Sequence, residues 1–481
     1  MEWFVADDGW LGRAVLQHAL AALYLVAFVA AARQGPALIG SRGLTPAPTF
    51  LRRATFAQAP NLFHRWWSDR LFLAVAWTGA ALALLTLVGV PARLPLAASM
   101  AVWAVLWALY LSIVNVGQLW WSFGWETLLC EVGFLAIFLG NAAVAPPLLV
   151  LLLVRWLLFR LEFGAGLIKL RGDRCWRDLT CLHHHHETQP MPGPLSWFFH
   201  HLPGPLHKVE VAANHVTQLI VPFGLFLPQP VAGVSAGIML VTQLWLVASG
   251  NFAWLNWLAI VLAASVLPDA VWARLLPGPV QDWLVPTQAG ATPYPWVVAV
   301  VLLTVLVAVL SWRPVVNLLS PRQAMNASFE PLRLVNTYGA FGSVTKVRHE
   351  IVLEGLDTDG VWREYGFRGK PGFPGRWPRQ YAPYHLRLDW LMWFAALSHR
   401  YAYPWLPRLQ RRLLEADPPT LRLLAHDPFD GRRPEAVRAV LHRYRYTTWA
   451  ELRTTRECWH RRPVGPFGPV VTPDSAEPDW W

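Results

Sequence analysis

Long apolar runs separated by polar loops fill the first part of the chain, and the pattern changes after residue 312. Runs near residues 11–32, 71–90, 97–116, 125–145, 148–170, 211–228, 231–249, 251–267 and 295–312 approach the roughly 20 residues that carry a helix across a bilayer. The spacing predicts about nine transmembrane helices within residues 1–312. Pro222, Pro228 and Pro230 interrupt the sixth to eighth of these runs. Residues 313–481 are polar and read as a separate soluble domain. Alternation predicts strands over 334–345, 347–356 and 361–368, with Asp357-Thr358-Asp359-Gly360 as the turn joining the last two. Helices are predicted over 388–397, 406–415 and 435–444, and the Pro-rich end, 463–481, reads as extended or disordered. The expected fold class is an α-helical polytopic membrane domain followed by a small β-rich domain with C-terminal helices.

Composition agrees with a membrane protein: 54% of residues are hydrophobic and only 15% charged. Glu2, Asp7 and Asp8 precede the first apolar run where a cleavable signal would carry positive charge, so that run is expected to remain as a span. The net charge is +11, of which residues 313–481 contribute +8 (25 Lys+Arg against 17 Asp+Glu). Beside so many spans, a basic tail points to anionic membrane lipid, and no nucleic-acid motif is present. The two long loops, 33–70 and 171–210, are also basic. With nine spans they share one side with the tail, and the positive-inside rule makes that side cytoplasmic. The chain has four cysteines; Cys175 and Cys181 are close enough to pair in an oxidising compartment, but two free thiols are the expectation.

The candidate chemistry lies in the run 148–170 and the loop after it. Arg155, Glu162 and Lys169 are spaced by seven, nearly two helical turns, and so share a face. Charges in a membrane helix are costly and face a cavity or a partner, with Glu131 of the preceding span as a possible partner. This polar seam runs into His183-His184-His185-His186-Glu187-Thr188-Gln189-Pro190. The role read for His185, Glu187 and Gln189, with Thr188 beside them, is to hold the loop against the membrane domain by hydrogen bonds, while Pro190 redirects the chain. Adjacent loop histidines rarely converge on one ion, so neither metal nor cofactor is expected, although His200, His201, His207 and His215 lie nearby in sequence. Asn214, His215 and Gln218 form a stripe suited to bonding helix to helix, and the many tryptophans read mostly as interface anchors.

Several segments carry a resemblance in order along residues 10–398: Leu38-Ile39-Gly40-Ser41-Arg42-Gly43-Leu44, Gly124-Trp125-Glu126 through Leu135, Arg155-Trp156 through Leu170, Glu187-Thr188-Gln189-Pro190, Val335-Asn336-Thr337-Tyr338-Gly339 and Arg387-Leu388-Asp389-Trp390. They resemble the lipase maturation factor family. The resemblance implies a multi-pass membrane protein that assists folding of exported or secreted clients such as lipases, in the endoplasmic reticulum for eukaryotic relatives and in the inner membrane for a bacterial protein. It also implies long loops and a tail that face the lumen, against the charge rule. A shorter segment, Ala165-Gly166-Leu167-Ile168-Lys169-Leu170 followed by Trp176, is similar to the vitamin K-dependent carboxylases, where a lysine at the position of Lys169 is the catalytic base. The functional expectation is a chaperone-like maturation factor whose partners are client proteins and membrane lipid. The alternative is a membrane enzyme that uses a lipid-soluble cofactor with Lys169 as base.

Overall fold

The computed structural model describes residues 2–285 and 290–475. Among the described residues six helices are long and apolar enough to cross a membrane: Trp10–Leu38, Asp69–Leu87, Leu96–Val116, Gly204–Phe226, Val231–Ser249 and Tyr294–Leu319. A seventh span results if Leu255–Ala264 and Asp269–Leu275, bent by 112°, are taken together. The expected nine are therefore not all found among the described residues, and the physical reasons are local. The run 125–145 forms a helix only over Gly124–Ala136, 13 residues or about 20 Å, short of the hydrocarbon core. Leu148–Arg171 has 24 residues but carries Arg155, Arg160, Glu162 and Lys169 and is buried among the other helices. With seven spans, again an odd number, both long loops and the tail share one side, whereas six spans put the tail opposite the loops.

Local sequence explains where several elements start. Ser68 caps Asp69–Leu87 by accepting from the Leu71 N–H at 3.0 Å. Thr448 and Glu451 form a reciprocal capping box before Trp449–Thr455. Gly360, at φ +77°, closes the predicted turn between Arg348–Leu356 and Trp362–Glu364.

Beyond residue 320 a four-stranded antiparallel sheet runs in the order Trp362–Glu364, Arg348–Leu356, Ala436–Tyr446, Trp459–Pro466. Two of the predicted helices form, as Arg387–Leu397 and Trp405–Leu414. The third does not: 435–444 lies within the strand Ala436–Tyr446. Its apolar residues Ala436, Val437, Ala439, Val440 and Leu441 fit a helical stripe, but this strand is hydrogen-bonded on both edges, and pairing outweighs local preference. The strand predicted over 334–345 shrinks to Asn336–Thr337, paired with Ala327–Ser328. The Pro-rich end contributes Trp459–Pro466 as an edge strand, with Pro463 at a register shift where a missing N–H costs least. Residues 476–481 of the expected extended end lie outside the described residues.

One apolar core continues from Leu16 and Phe28 through Leu157 to Leu391, Leu409 and Ala439, so the C-terminal part is packed onto the helices. Trp103, Trp120, Trp121, Trp197, Trp254, Trp405 and Trp459 are fully buried in the molecule and have a packing role. Cys175 and Cys181 form a disulfide, in place of the two free thiols expected, whereas Cys130 and Cys458 are free and buried.

Candidate functional site

The charged helix Leu148–Arg171 is approached closely by the backbone of residues 338–342. Glycines make this approach possible: a Cβ on Gly164 would sit 2.4 Å from the Tyr338 carbonyl oxygen, and one on Gly172 would sit 2.0 Å from that of Gly342. Beside this contact is a cavity of about 1460 Å³, lined mainly by apolar side chains from the membrane helices, the His-rich loop and residues 390–405.

A hydrogen-bonded polar row lines part of that cavity. Lys169 Nζ donates to Asn214 Oδ1 and to Gln218 Oε1, both at 2.8 Å. Gln218 Nε2 donates to Glu162 Oε2 at 3.1 Å, Gln243 Nε2 donates to Glu162 Oε1 at 2.6 Å, and Asn256 Nδ2 donates to Gln243 Oε1 at 2.6 Å. The Lys169 ammonium also lies 5.1 Å from the Trp176 ring centre. Helices Leu148–Arg171, Gly204–Leu219, Val231–Ser249 and Leu255–Ala264 are thereby joined through a single network of side chains, all buried except the half-buried Asn214.

Of the sequence-predicted seam, only Glu162 and Lys169 meet at the cavity. Arg155 donates to the Leu225 carbonyl at 3.1 Å and does not line the cavity. Glu131 is in a second cluster, ion-paired with buried Arg160. Its Oε2 also accepts from the Asn336 N–H at 3.0 Å, Asn336 Nδ2 at 2.9 Å and the Tyr338 hydroxyl at 2.6 Å. A third cluster joins Glu126, Arg387 and His385: Arg387 Nη1 donates to Glu126 Oε1 at 2.6 Å, and Tyr110 donates its hydroxyl proton to the same carboxylate. The sequence offered Glu131 as a partner for the charges of this helix, and Arg160 takes it; the Glu126–Arg387 cluster was not singled out, because its partners lie 261 residues apart.

In the loop, the residues expected to fasten it make different contacts. Gln189 Nε2 donates to the carbonyls of His186 at 3.1 Å and Ser249 at 2.9 Å and to Ser196 Oγ at 3.0 Å. Glu187 instead faces the sheet, accepting from the Tyr446 N–H at 2.8 Å, and burial raises its carboxyl above the usual range. Thr188 offers its carbonyl to Trp393 Nε1 at 2.9 Å. His185 is buried against Phe341, and burial pushes it down to about 3, so it is a neutral packing residue. The guanidinium of Arg348, not singled out from sequence, donates to the carbonyls of Glu187 at 2.8 Å, Gln189 at 2.5 Å and Pro190 at 3.0 Å. Behind it Glu350 takes both Arg348 and, at 2.9 Å, Lys370. Arg348 thus clamps the turn at Pro190 to the sheet.

The arrangement agrees with the relationships of the whole chain. Residues 11–274 match the lipase maturation factor transmembrane domain, and residues 334–469 match the lipase maturation factor C-terminal domain. Lipase maturation factor 1 of Mus musculus is 42% identical over 508 residues, covering 96% of this chain and 87% of that protein. Lipase maturation factor 1 of Homo sapiens is 41% identical, covering 98% and 89%, and lipase maturation factor 2 of Homo sapiens is 31% identical, covering 96% and 83%. No solved structure matches. This integral, multi-pass membrane protein belongs to the lipase maturation factor family.

Proposed function

We propose that this chain is a maturation factor that assists the folding of exported or secreted clients, lipases among them. The observation that carries the reading is the similarity to lipase maturation factor 1 along nearly the whole chain, in both its transmembrane and C-terminal parts. The large apolar cavity supplies a physical basis. A folding client exposes apolar segments, and a concave apolar surface with a few fixed polar groups suits their transient capture. Leu397, Tyr401 and Tyr403 line this cavity and are also exposed, 38%, 54% and 49%, which makes them the contact surface we assign to the client. The Cys175–Cys181 disulfide supports a loop that faces an oxidising compartment, where exported clients fold.

The rival reading, Lys169 as a base toward a lipid-soluble cofactor, fits the contacts less well. A base must present a lone pair, whereas Nζ donates to two amide oxygens and faces an aromatic ring, all of which favour the ammonium. The test is co-expression of a secreted lipase with this chain in cells that lack a maturation factor of their own. Active lipase per lipase antigen should rise, and should fall again in Tyr401→Asp/Tyr403→Asp. No rise overturns the proposal. Loss of the rise in Lys169→Ala at unchanged abundance would favour the enzyme reading instead.

A further inference from the structure

A cluster beside the cavity has no place in the client-binding reading. The His-rich loop forms a short helix, Leu182–Thr188, that packs against Gly204–Leu219 and turns His186 inward. His186 is only 2% exposed, yet neither of its ring nitrogens has a hydrogen-bond partner. A buried imidazole in that state forgoes the bonds it would make in water, which calls for an explanation. Its Nε2 lies 3.9 Å from Glu210 Oε2, beyond hydrogen-bond reach. The same carboxylate oxygen lies 3.2 Å from Nδ1 of His207, a residue 1% exposed. The donor atoms of His186, His207 and Glu210 all fall within 4.8 Å of one another.

We propose that His186, His207 and Glu210 form a binding site for a divalent zinc-class ion. Two imidazoles and one carboxylate are a common donor set for such an ion. Bonds of roughly 2.0–2.2 Å to a tetrahedral centre place donors about 3.3–3.5 Å apart, so the two spacings of 3.2 and 3.9 Å need only a small movement of His186. The surroundings orient the ligands as metal sites require. Glu210 Oε1 accepts from Trp245 Nε1 at 2.6 Å, leaving Oε2 for the ion. His207 Nδ1 is hydrogen-bonded to Glu210 Oε2 at 3.2 Å and its Nε2 faces the His200 carbonyl at 3.4 Å, so on ion binding the ring proton moves to Nε2, where that carbonyl accepts it, and Nδ1 turns its lone pair to the ion. His186 and Glu210 line the cavity, so a fourth position is open to water or to a ligand group from within it. The ion joins the loop to the helix through a residue that otherwise has no polar partner. The expectation from sequence that no metal binds overlooked that His207 and Glu210, three apart on a helix, face the loop's last histidine.

The test uses the full chain in detergent, purified on a tag without histidine, stripped with a chelator and titrated with Co²⁺. One equivalent should produce the visible bands of four-coordinate cobalt, and Zn²⁺ should remove them. His207→Ala and Glu210→Gln should lose the bands, Trp245→Phe should weaken binding by about tenfold or more, and His184→Ala, on the loop's outer side, should bind as the unaltered chain does. Absence of bands in the unaltered chain overturns the proposal, and so does their persistence in both ligand variants or their loss in His184→Ala. Should the ligand variants fail to fold, the unaltered chain still decides: Zn²⁺ must raise its melting temperature, and no rise together with no cobalt bands rejects the site.

Discussion

Lys169 and Glu162 are joined through one side-chain amide: Gln218 accepts from Lys169 Nζ at 2.8 Å and donates to Glu162 Oε2 at 3.1 Å. The two ions are too far apart for direct pairing, and the amide lets each be satisfied while burying both. Gln218→Leu removes both bonds. At about 0.6–2 kcal/mol for such a bond between membrane helices, the expected loss is about 2 kcal/mol, read as a lower melting temperature in detergent. Exchanging the groups, Glu162→Gln with Gln218→Glu, should recover most of the stability, because the carboxylate then meets the ammonium directly. If the losses of the two single variants simply add in the double variant, the linkage is wrong.

Glu131 and Arg160 are the joint between the membrane helices and residues 336–338. The carboxylate takes Arg160, the Asn336 backbone and side chain, and Tyr338. Glu131→Gln leaves a buried guanidinium without its counter-ion, a loss of about 3–5 kcal/mol, and the chain should fall sharply in abundance. Tyr338→Phe removes one bond to a charged group and should cost about 1.5–3 kcal/mol. Quantitative immunoblotting at matched expression checks both, and unchanged abundance in Glu131→Gln would refute the joint.

The parts that were legible in the sequence are those governed by local chemistry. Gly360 closes the turn expected at 357–360, and the apolar runs mark most spans. The charge spacing puts Glu162 and Lys169 on one face, because helical periodicity is local. Arg155 shares that periodicity but turns to the Leu225 carbonyl, since periodicity does not say which neighbour a face will meet. The strand Ala436–Tyr446 was illegible for the same reason: its identity comes from Arg348–Leu356 and Trp459–Pro466 on either side. Arg348 and Glu210 look like ordinary surface charges in the sequence, and only tertiary contact turns one to the loop carbonyls and the other to His186 and His207.

His385 gives the fold a dependence on acid. Its ordinary value of 6.5 is pushed down to about 4, mainly by burial and also by Arg387, against the opposing pull of Glu126. Its Nδ1 accepts from Trp125 Nε1 at 3.4 Å, the arrangement of a neutral ring. Between pH 6.5 and 4 the unfolded chain binds a proton that the folded chain refuses. The stability from this group is therefore complete above pH 6.5 and declines as the pH falls toward 4. At pH 5 its share of the loss is about 2 kcal/mol. Melting temperatures at pH 7 and pH 5 should differ less in His385→Gln than in the unaltered chain. An equal difference would remove His385 from the acid response.

The cysteines provide a chemical test of which side the loop 171–210 occupies. Cys175 and Cys181 are bonded to each other, while Cys130 and Cys458 are free and buried. The chain isolated under alkylating, non-reducing conditions and then denatured should carry two labels, and reduction before labelling should raise the count to four. Cys175→Ser should expose Cys181, giving three labels without reduction. Thioredoxin and glutathione keep most cytosolic thiols reduced, so two labels require that the loop was in an oxidising compartment when it closed. That outcome agrees with lumenal or periplasmic loops and with exported clients, and it outweighs the basic charge of these loops, which alone points to the cytoplasm. Four labels without reduction would mean that the disulfide does not form in the cell, and the charge rule would again decide the orientation.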